Sequence, residues 1–444
     1  MDFKTMTNFR IVTLGCKVNQ YESAWLREAL CDKGWKWAGK GPADVTIVNT
    51  CIVTQTASRQ SRQEIRKAIR RSPGGLIAAV GCYAQVFPAE LLEIEGLGLI
   101  VGNSSKGALV NLLKDAMGGS IHGVVSNDFL PAHRFDPMPV SHFPGRSRAF
   151  LKIQDGCESF CSYCIVPFAR GPSRSLGMEK VLKGVERYCS QGYKEIVLTG
   201  IHLGLYRGGN PGCDLSGLLK RICGEKYPAR IRLSSMDPNE VTDEIIEMVA
   251  QGGWICRHLH IALQSGDNSM LASMNRRYTA DDFALLVRKI QGACPQTCIG
   301  ADVMCGFPGE SEQTFENTRN LLTDLPVSYL HVFRYSRRPG TRAAEFSLQV
   351  EPAMVKHRAK VLRELGREKR SEFNRASLGS ILEVLREGRH VSQKNMALGT
   401  SDNYVPVIFP FQPENDETPL MNIRADQLKG DRVEGTIVNV RYPG

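Results

Sequence analysis

Short apolar runs alternate with helical patterns over roughly the first 115 residues. Phe9–Leu14 (FRIVTL), Asp44–Asn49 (DVTIVN), Leu76–Gly81 (LIAAVG) and Leu97–Val101 read as strands, and Gln20–Cys31 and Gln55–Arg71 between them read as helices. Such alternation predicts a doubly wound parallel α/β domain over residues 1–128. Residues 129–148 lack strong periodicity, contain Pro131, Pro137, Pro139 and Pro144, and read as a linker. The alternation then resumes, with strands expected at Ala149–Gln154, Glu195–Thr199, Arg230–Ser234, Leu259–Leu263, Gly300–Met304 and Tyr329–Phe333. Six strand–helix units predict a partial parallel (β/α)6 barrel, because about eight would close it. With the charged helix near Pro352–Asn374, this domain spans 149–375. Short β-rich runs at Ser380–Leu385, Tyr404–Phe409 and Arg432–Val440 then predict a small β-barrel over 376–444.

Composition adds less. A net charge of +10 favours polyanionic partners without identifying one. The chain shows no transmembrane run, and Met1–Arg10 lacks an apolar signal core, so a cytoplasmic location is expected. In that reducing compartment the 14 cysteines are expected to stay as free thiols or metal ligands. Cys31, Cys189, Cys213, Cys223, Cys256, Cys294, Cys298 and Cys305 read as buried small apolar residues. Six cysteines remain.

Cys157-Glu-Ser-Phe-Cys161-Ser-Tyr-Cys164 directly follows the first barrel strand. Three thiolates in one loop suit a [4Fe–4S] cluster with one iron free of protein ligands. A structural zinc would want a fourth ligand, and none lies nearby. Other strand ends are polar or glycine-rich: Thr199 and Gly200, Ser234-Ser235, Gln264-Ser-Gly266, and Ala301–Glu310. Active sites of parallel barrels gather at such ends, though each glycine also suits an ordinary tight turn. Tyr163 fits equally as packing for a bound ligand or as a core aromatic. Cys16, Cys51 and Cys82 each follow a strand of the first domain, where neighbouring carboxyl ends open into one crevice. They can therefore converge on a second three-thiolate site, or lie in unrelated cores. Arg59, Arg62, Arg66 and Arg70 form one stripe on the helix after Cys51, suited to RNA phosphates or simply to solvent. The basic residues between Lys356 and Arg370 interleave with Glu364 and Glu368, so internal ion pairs are expected there.

The C-x3-C-x2-C loop resembles the radical S-adenosylmethionine superfamily. Leu14-Gly-Cys-Lys-Val-Asn-Gln-Tyr-Glu-Ser23, Asn49-Thr-Cys51, Val80-Gly-Cys-Tyr-Ala-Gln85 and Gly156–Arg174 resemble its methylthiotransferase family, in the MtaB branch, over nearly the whole chain. Ala262 departs from the proline expected in the fourth-strand motif. The resemblance implies two [4Fe–4S] clusters and S-adenosylmethionine, with Tyr163, Thr199, Gly200, Ser235 and Gln264 near the latter. It implies a methylthio group added to C2 of N6-threonylcarbamoyladenosine beside the tRNA anticodon, through a deoxyadenosyl radical formed at Cys157, Cys161 and Cys164. It also implies an external one-electron reductant, a sulfur source and a TRAM-like RNA-binding C-terminal module. The alternatives are the same chemistry on isopentenyladenosine or a ribosomal-protein aspartate, and a non-catalytic RNA-binding iron–sulfur redox sensor.

Overall fold

The structure, a computed structural model, describes residues 6–39, 41–129, 134–209, 213–389, 395–410 and 419–440. Pro131 of the expected linker and the first residues of the Met1–Arg10 segment lie outside them.

The first domain is a six-stranded, all-parallel sheet. Its spatial order is Lys36–Trp37, Asn8–Thr13, Val45–Thr50, Leu76–Gly81, Leu99–Val101, Gly123–Val125. Every residue of Val45–Thr50 is buried, as a central strand covered on both faces must be. Lys36–Trp37 and Gly123–Val125 were not expected; strands of two or three residues carry no readable period. The helix Lys17–Asp32 buries Val18, Tyr21, Leu26 and Leu30 at helical spacing and starts immediately after Cys16. Gln55–Arg71 is helical as the periodicity predicts, capped by the Thr54 side chain accepting from the Ala57 N–H.

The second domain is an open parallel barrel. Ala149–Lys152, Glu195–Thr199 and Arg230–Leu233 form one half; His258–Gln264, Cys298–Cys305 and Tyr329–Arg334 form the other. Isolated bridges Ile231 to Ile255 and Met236 to Ile261 join the halves between the third and fourth strands. The first domain's helix Lys17–Asp32 lies against the opening strand of the barrel. Its Tyr21 shares a core with Met138, Val140, Phe143 and Phe150.

Three of those core residues come from the proline-rich stretch, whose described part, residues 134–148, is irregular but packed. The Ser141 and His142 N–H groups donate to Glu28 at 2.7 and 2.6 Å, and the Phe143 N–H donates to the Tyr193 hydroxyl at 2.8 Å. Proline denies this stretch a regular period, yet its apolar side chains still find the core.

The chain ends in a closed five-stranded barrel, Ile381–Arg389, Met396–Ser401, Pro406–Pro410, Arg432–Val440 and Leu420–Lys429 in spatial order. It is fastened beneath the open barrel by two buried arginines. Arg232 donates to the Ser401 and Asp402 carbonyls at 2.9 and 3.1 Å, and Arg230 to the Glu383 and Thr400 carbonyls at 2.8 and 3.1 Å. Both pair with buried Glu195 at 2.8 Å. Burial opposes the Glu195 charge, but Arg232 and Arg230 hold its carboxyl well below the usual range. A depressed carboxylate contributes stability above its unfolded pKa of about 4.3 and loses it as pH falls below that value. Glu195→Gln should therefore cost about 3–5 kcal/mol near neutral pH, because it leaves two buried guanidinium groups without their carboxylate. Denaturant unfolding should show the gap between wild type and variant narrowing as pH falls below about 4.

Candidate functional site

Two sets of three thiols stand at carboxyl ends of parallel strands. In the first domain, Cys16 caps the helix that follows Asn8–Thr13, Cys51 follows Val45–Thr50, and Cys82 opens the short helix after Leu76–Gly81. The sheet order reverses between the first two of these strands, where doubly wound sheets open their binding crevice. Gly15 adopts φ +90°, and a Cβ there would lie 2.9 Å from Cys51 Sγ, so only glycine lets the Cys16 loop approach Cys51. Asn19 ties the two loops by donating to the Leu14 and Thr50 carbonyls at 2.7 and 3.0 Å. Asn103 donates to Cys82 Sγ at 3.4 Å.

These thiols sense one another. Burial pushes Cys51 up to about 11, and the neighbouring Cys82 and Cys16 add to the rise. Burial also raises Cys16, with Cys82 contributing. Three crowded thiolates repel until a cation or metal cluster neutralises them, which makes this donor set fit for iron. Cys16 remains solvent-accessible, whereas Cys51 and Cys82 are buried.

The second set follows the two-residue strand Gln154–Asp155. Burial and the adjacent Cys161 push Cys164 up to about 12. Nitrogen groups surround the sulfurs: His202 Nδ1 lies 3.4 Å from Cys157 Sγ, and Arg276 donates to Cys161 Sγ at 3.2 Å. His202 in turn contacts Glu240 at 2.6 Å, and Arg276 pairs with Asp237. Burial opposes charge on His202, yet Cys157 and Glu240 push it up to about 10, placing a cation beside the sulfur at neutral pH. Such donors orient and electronically tune metal-bound thiolates.

One helix joins the two sets. Val166–Arg170, starting two residues after Cys164, packs on the Cys82 helix, and Ile165 and Ala169 share a core with Ile52, Cys82 and Tyr83. Its last residue, Arg170, is buried, donates to Asn19 Oδ1 at 2.5 Å and pairs with Glu22. Glu22 also pairs with Lys106 at 2.6 Å and Lys152 at 3.1 Å, and Lys152 reaches Asp155 at 3.0 Å. Arg174 joins Asp155 at 3.4 Å. Two carboxylates thus face four cations, and the surplus positive charge lies close enough to Cys16 and Cys82 to act on them.

Of the other expected residues, Thr199 and Gly200 pack at the end of the second barrel strand beside Gln154, and a Cβ on Gly200 would lie 2.8 Å from Gln154 Oε1. Gln264 sits at φ +68° where the fourth strand bulges, and Ser235 lines the barrel interior. Tyr163 packs against the apolar cluster of Met270, Met274 and Phe307. Arg59, Arg66 and Arg70 are exposed, whereas Arg62 is tied to Glu90 and Tyr83. In the helix Pro352–Ala376, Arg358 is buried on Glu310 and Glu312, and Arg370 covers Tyr329 and Tyr404. Among the cysteines expected to be buried, Cys213, Cys256, Cys298 and Cys305 are buried and Cys189, Cys223 and Cys294 partly so. Cys31 corrects that expectation: it is exposed, because the apolar stripe of its helix runs through Leu26 and Leu30. Sequence reasoning missed His202 and Arg276, which reach the sulfurs, Glu240, which holds His202, and Arg170, which ties the helix after Cys164 to Asn19 and Glu22; they come from separate elements with no shared spacing. It also missed a polar ladder inside the barrel. Tyr329 hydroxyl lies 2.8 Å from both His258 and His260, and His260 lies 2.8 Å from Asp302.

Comparison with known proteins matches residues 151–322 to the Radical SAM superfamily and residues 8–102 to the Uncharacterized protein family UPF0004. The chain is 39% identical to the threonylcarbamoyladenosine tRNA methylthiotransferase MtaB of Bacillus subtilis, over 89% of each chain. It is 37% identical to that of Aquifex aeolicus, over 89% of this chain and 95% of the other. A tRNA-2-methylthio-N(6)-dimethylallyladenosine synthase of Zymomonas mobilis is 32% identical over 88% of this chain and 89% of the other. Among solved structures, the radical S-adenosylmethionine methyltransferase TsrM of Kitasatospora setae shares the fold, with a TM-score of 0.56 at 16% identity, over 76% of this chain and 74% of that one. Two domain matches in the expected order, and full-length relatives above 30% identity, place this chain in the radical SAM methylthiotransferase family, in its MtaB branch.

Proposed function

We propose that the protein adds a methylthio group to C2 of N6-threonylcarbamoyladenosine beside the anticodon of tRNA. The reading rests on two separate three-thiol sets at strand ends, joined through the Arg170 helix, and the names of the MtaB relatives support this substrate. Cys157, Cys161 and Cys164 would hold one [4Fe–4S] cluster, and Cys16, Cys51 and Cys82 a second. When bound, the first would provide an electron for the reductive cleavage of S-adenosylmethionine, and the second would hold the sulfur that is methylated and transferred.

The chain's own residues prepare both places. Each set offers three ligands, leaving coordination room for a non-protein group. His202, Arg276 and Asn103 direct N–H groups at the sulfurs and fix their orientation. Gly200, Ser235 and Gln264 surround the strand ends where S-adenosylmethionine would lie, with Thr199 beneath and Tyr163 packing nearby. The exposed Arg59, Arg66 and Arg70 offer phosphate contacts just beyond Cys51, while Arg62 braces the helix against Glu90. The small closed barrel serves as a TRAM-like RNA grip, giving domains at 1–128, 149–375 and 376–444 around the 129–148 connection. A base removed from the anticodon loop reaches the chemistry at little cost in stacking. The electron and the sulfur come from an external reductant and a sulfur donor in the cytoplasm.

Replacing Cys16, Cys51 and Cys82 together by alanine should lower iron in the anaerobically reconstituted protein from about eight to about four atoms per chain. Replacing Cys157, Cys161 and Cys164 should do the same, and a wild type holding only about four would reject the two-cluster reading. In cells whose only copy is Cys157→Ala, nucleoside mass spectrometry of tRNA should find threonylcarbamoyladenosine without its 2-methylthio form. Loss of methylthiolated isopentenyladenosine instead would assign the other nucleoside.

A further inference from the structure

A cavity of about 350 Å³ occupies the barrel interior. Lys17, next in sequence to Cys16, lines it, as do Arg146, Arg148, Arg232, Ser234 and Ser235. The imidazoles of His258, His260 and His331 face it from the later strands, and Tyr404 of the C-terminal barrel also borders it. Its charge is uneven. Arg232 is committed to Glu195, and Arg148 to Glu195 and Glu387. Lys17 makes no hydrogen bond or ion pair with any described residue, and Arg146 is engaged only over the Phe150 ring. Lys17 is solvent-accessible at this lining, with Arg232, Arg148 and Glu195 all close enough for their charge to act on it. The buried Ser234 Oγ has no partner among the described residues either. A cavity with an unpaired ammonium and an unsatisfied hydroxyl favours an anionic, hydrogen-bonding group and penalises an apolar one.

Resting on the substrate class proposed above, we infer that this cavity is the pocket for the carboxylate of the N6 side arm, with Lys17 as its ion-pairing residue and Ser234 as a hydrogen-bonding one. The N6-threonylcarbamoyl arm carries one carboxylate and one hydroxyl, the two group types this lining lacks partners for. A dimethylallyl arm carries neither, and would leave Lys17 and Ser234 desolvated and unpaired. Discrimination of this kind is strong, because the wrong arm strands polar groups that the right one satisfies. Lys17 adjoins Cys16, so a base whose arm reaches this ammonium has its ring near the first thiol set. The arm thereby acts as a ruler for the ring.

The test measures binding, by fluorescence anisotropy, of anticodon stem–loop RNAs to the full-length, cluster-reconstituted protein. The RNAs carry threonylcarbamoyladenosine, its methyl ester, or unmodified adenosine. Wild type should bind the free acid about tenfold to a hundredfold more tightly than the ester, as expected for a charged hydrogen bond. Lys17→Gln should bind acid and ester equally, and Lys17→Arg should restore most of the preference. Circular dichroism and iron content confirm that each variant is folded and loaded. An unchanged acid-to-ester ratio in Lys17→Gln would overturn the role of Lys17. A wild type that prefers the modified RNA over plain adenosine but ignores esterification would overturn the carboxylate pocket and leave the substrate reading standing. A wild type that binds the modified and plain RNAs alike would overturn both.

Discussion

The buried pairing of Glu22 with Arg170 is the constraint on which the rest of the molecule hangs. Glu22 belongs to the helix that Cys16 caps, and Arg170 ends the helix that follows Cys164, so one ion pair fixes the two thiol sets relative to each other. Lys106 reinforces it from the first domain, and Lys152 with Asp155 from the barrel. Burying so many charges is expensive and worthwhile only when geometry and hydrogen bonding are nearly complete. Here they are not complete: among the described residues, cations outnumber carboxylates, and the Nε atoms of Arg170 and Arg174 are buried without hydrogen-bond partners. Thiolates at Cys16 and Cys82 would supply the missing negative charge. The polar seam between the domains and these thiolates would therefore stabilise each other, each being incompletely balanced alone.

Much of the scaffold is legible in the sequence because parallel sheets advertise themselves. Strands buried on both faces appear as continuous apolar runs, and the helices between them keep an apolar stripe. Once the strand ends are placed, Cys16, Cys51, Cys82 and the Cys157 loop fall at the rims without further information. The fold as read, a doubly wound domain, a partial barrel and a small β-barrel, is the fold found. Two very short strands, the terminal-barrel strands Met396–Ser401 and Leu420–Lys429, and the proline-rich stretch were not legible. The short ones carry no period, the two barrel strands mix polar residues and glycine into their apolar positions, and the proline-rich stretch buries Met138, Val140 and Phe143 without a regular period.

The surroundings of the sulfurs were hidden for a different reason. His202, Glu240 and Arg276 come from three successive segments of the barrel, and their meeting depends on how strand-end loops curl over the rim. Arg170 is visible in a recognised motif, yet nothing in its spacing says that its side chain crosses into another domain. The arginine stripe was legible as a stripe, but not the capture of Arg62 by Tyr83 and Glu90. Sequence periodicity reports which face a residue occupies; it does not report which neighbour arrives there.

Tyr404 belongs to the terminal barrel, yet it borders the interior cavity of the other, with its ring centroid 4.3 Å from that of His258. The last module is thus also the floor of the chamber. Tyr404 and the Arg232 carbonyl contacts tie any displacement of that module to the base of the cavity. Holding the module in place and closing the chamber from below are consequently one mechanical act, and a chain shortened by this module would bare His258 and Arg232 to water.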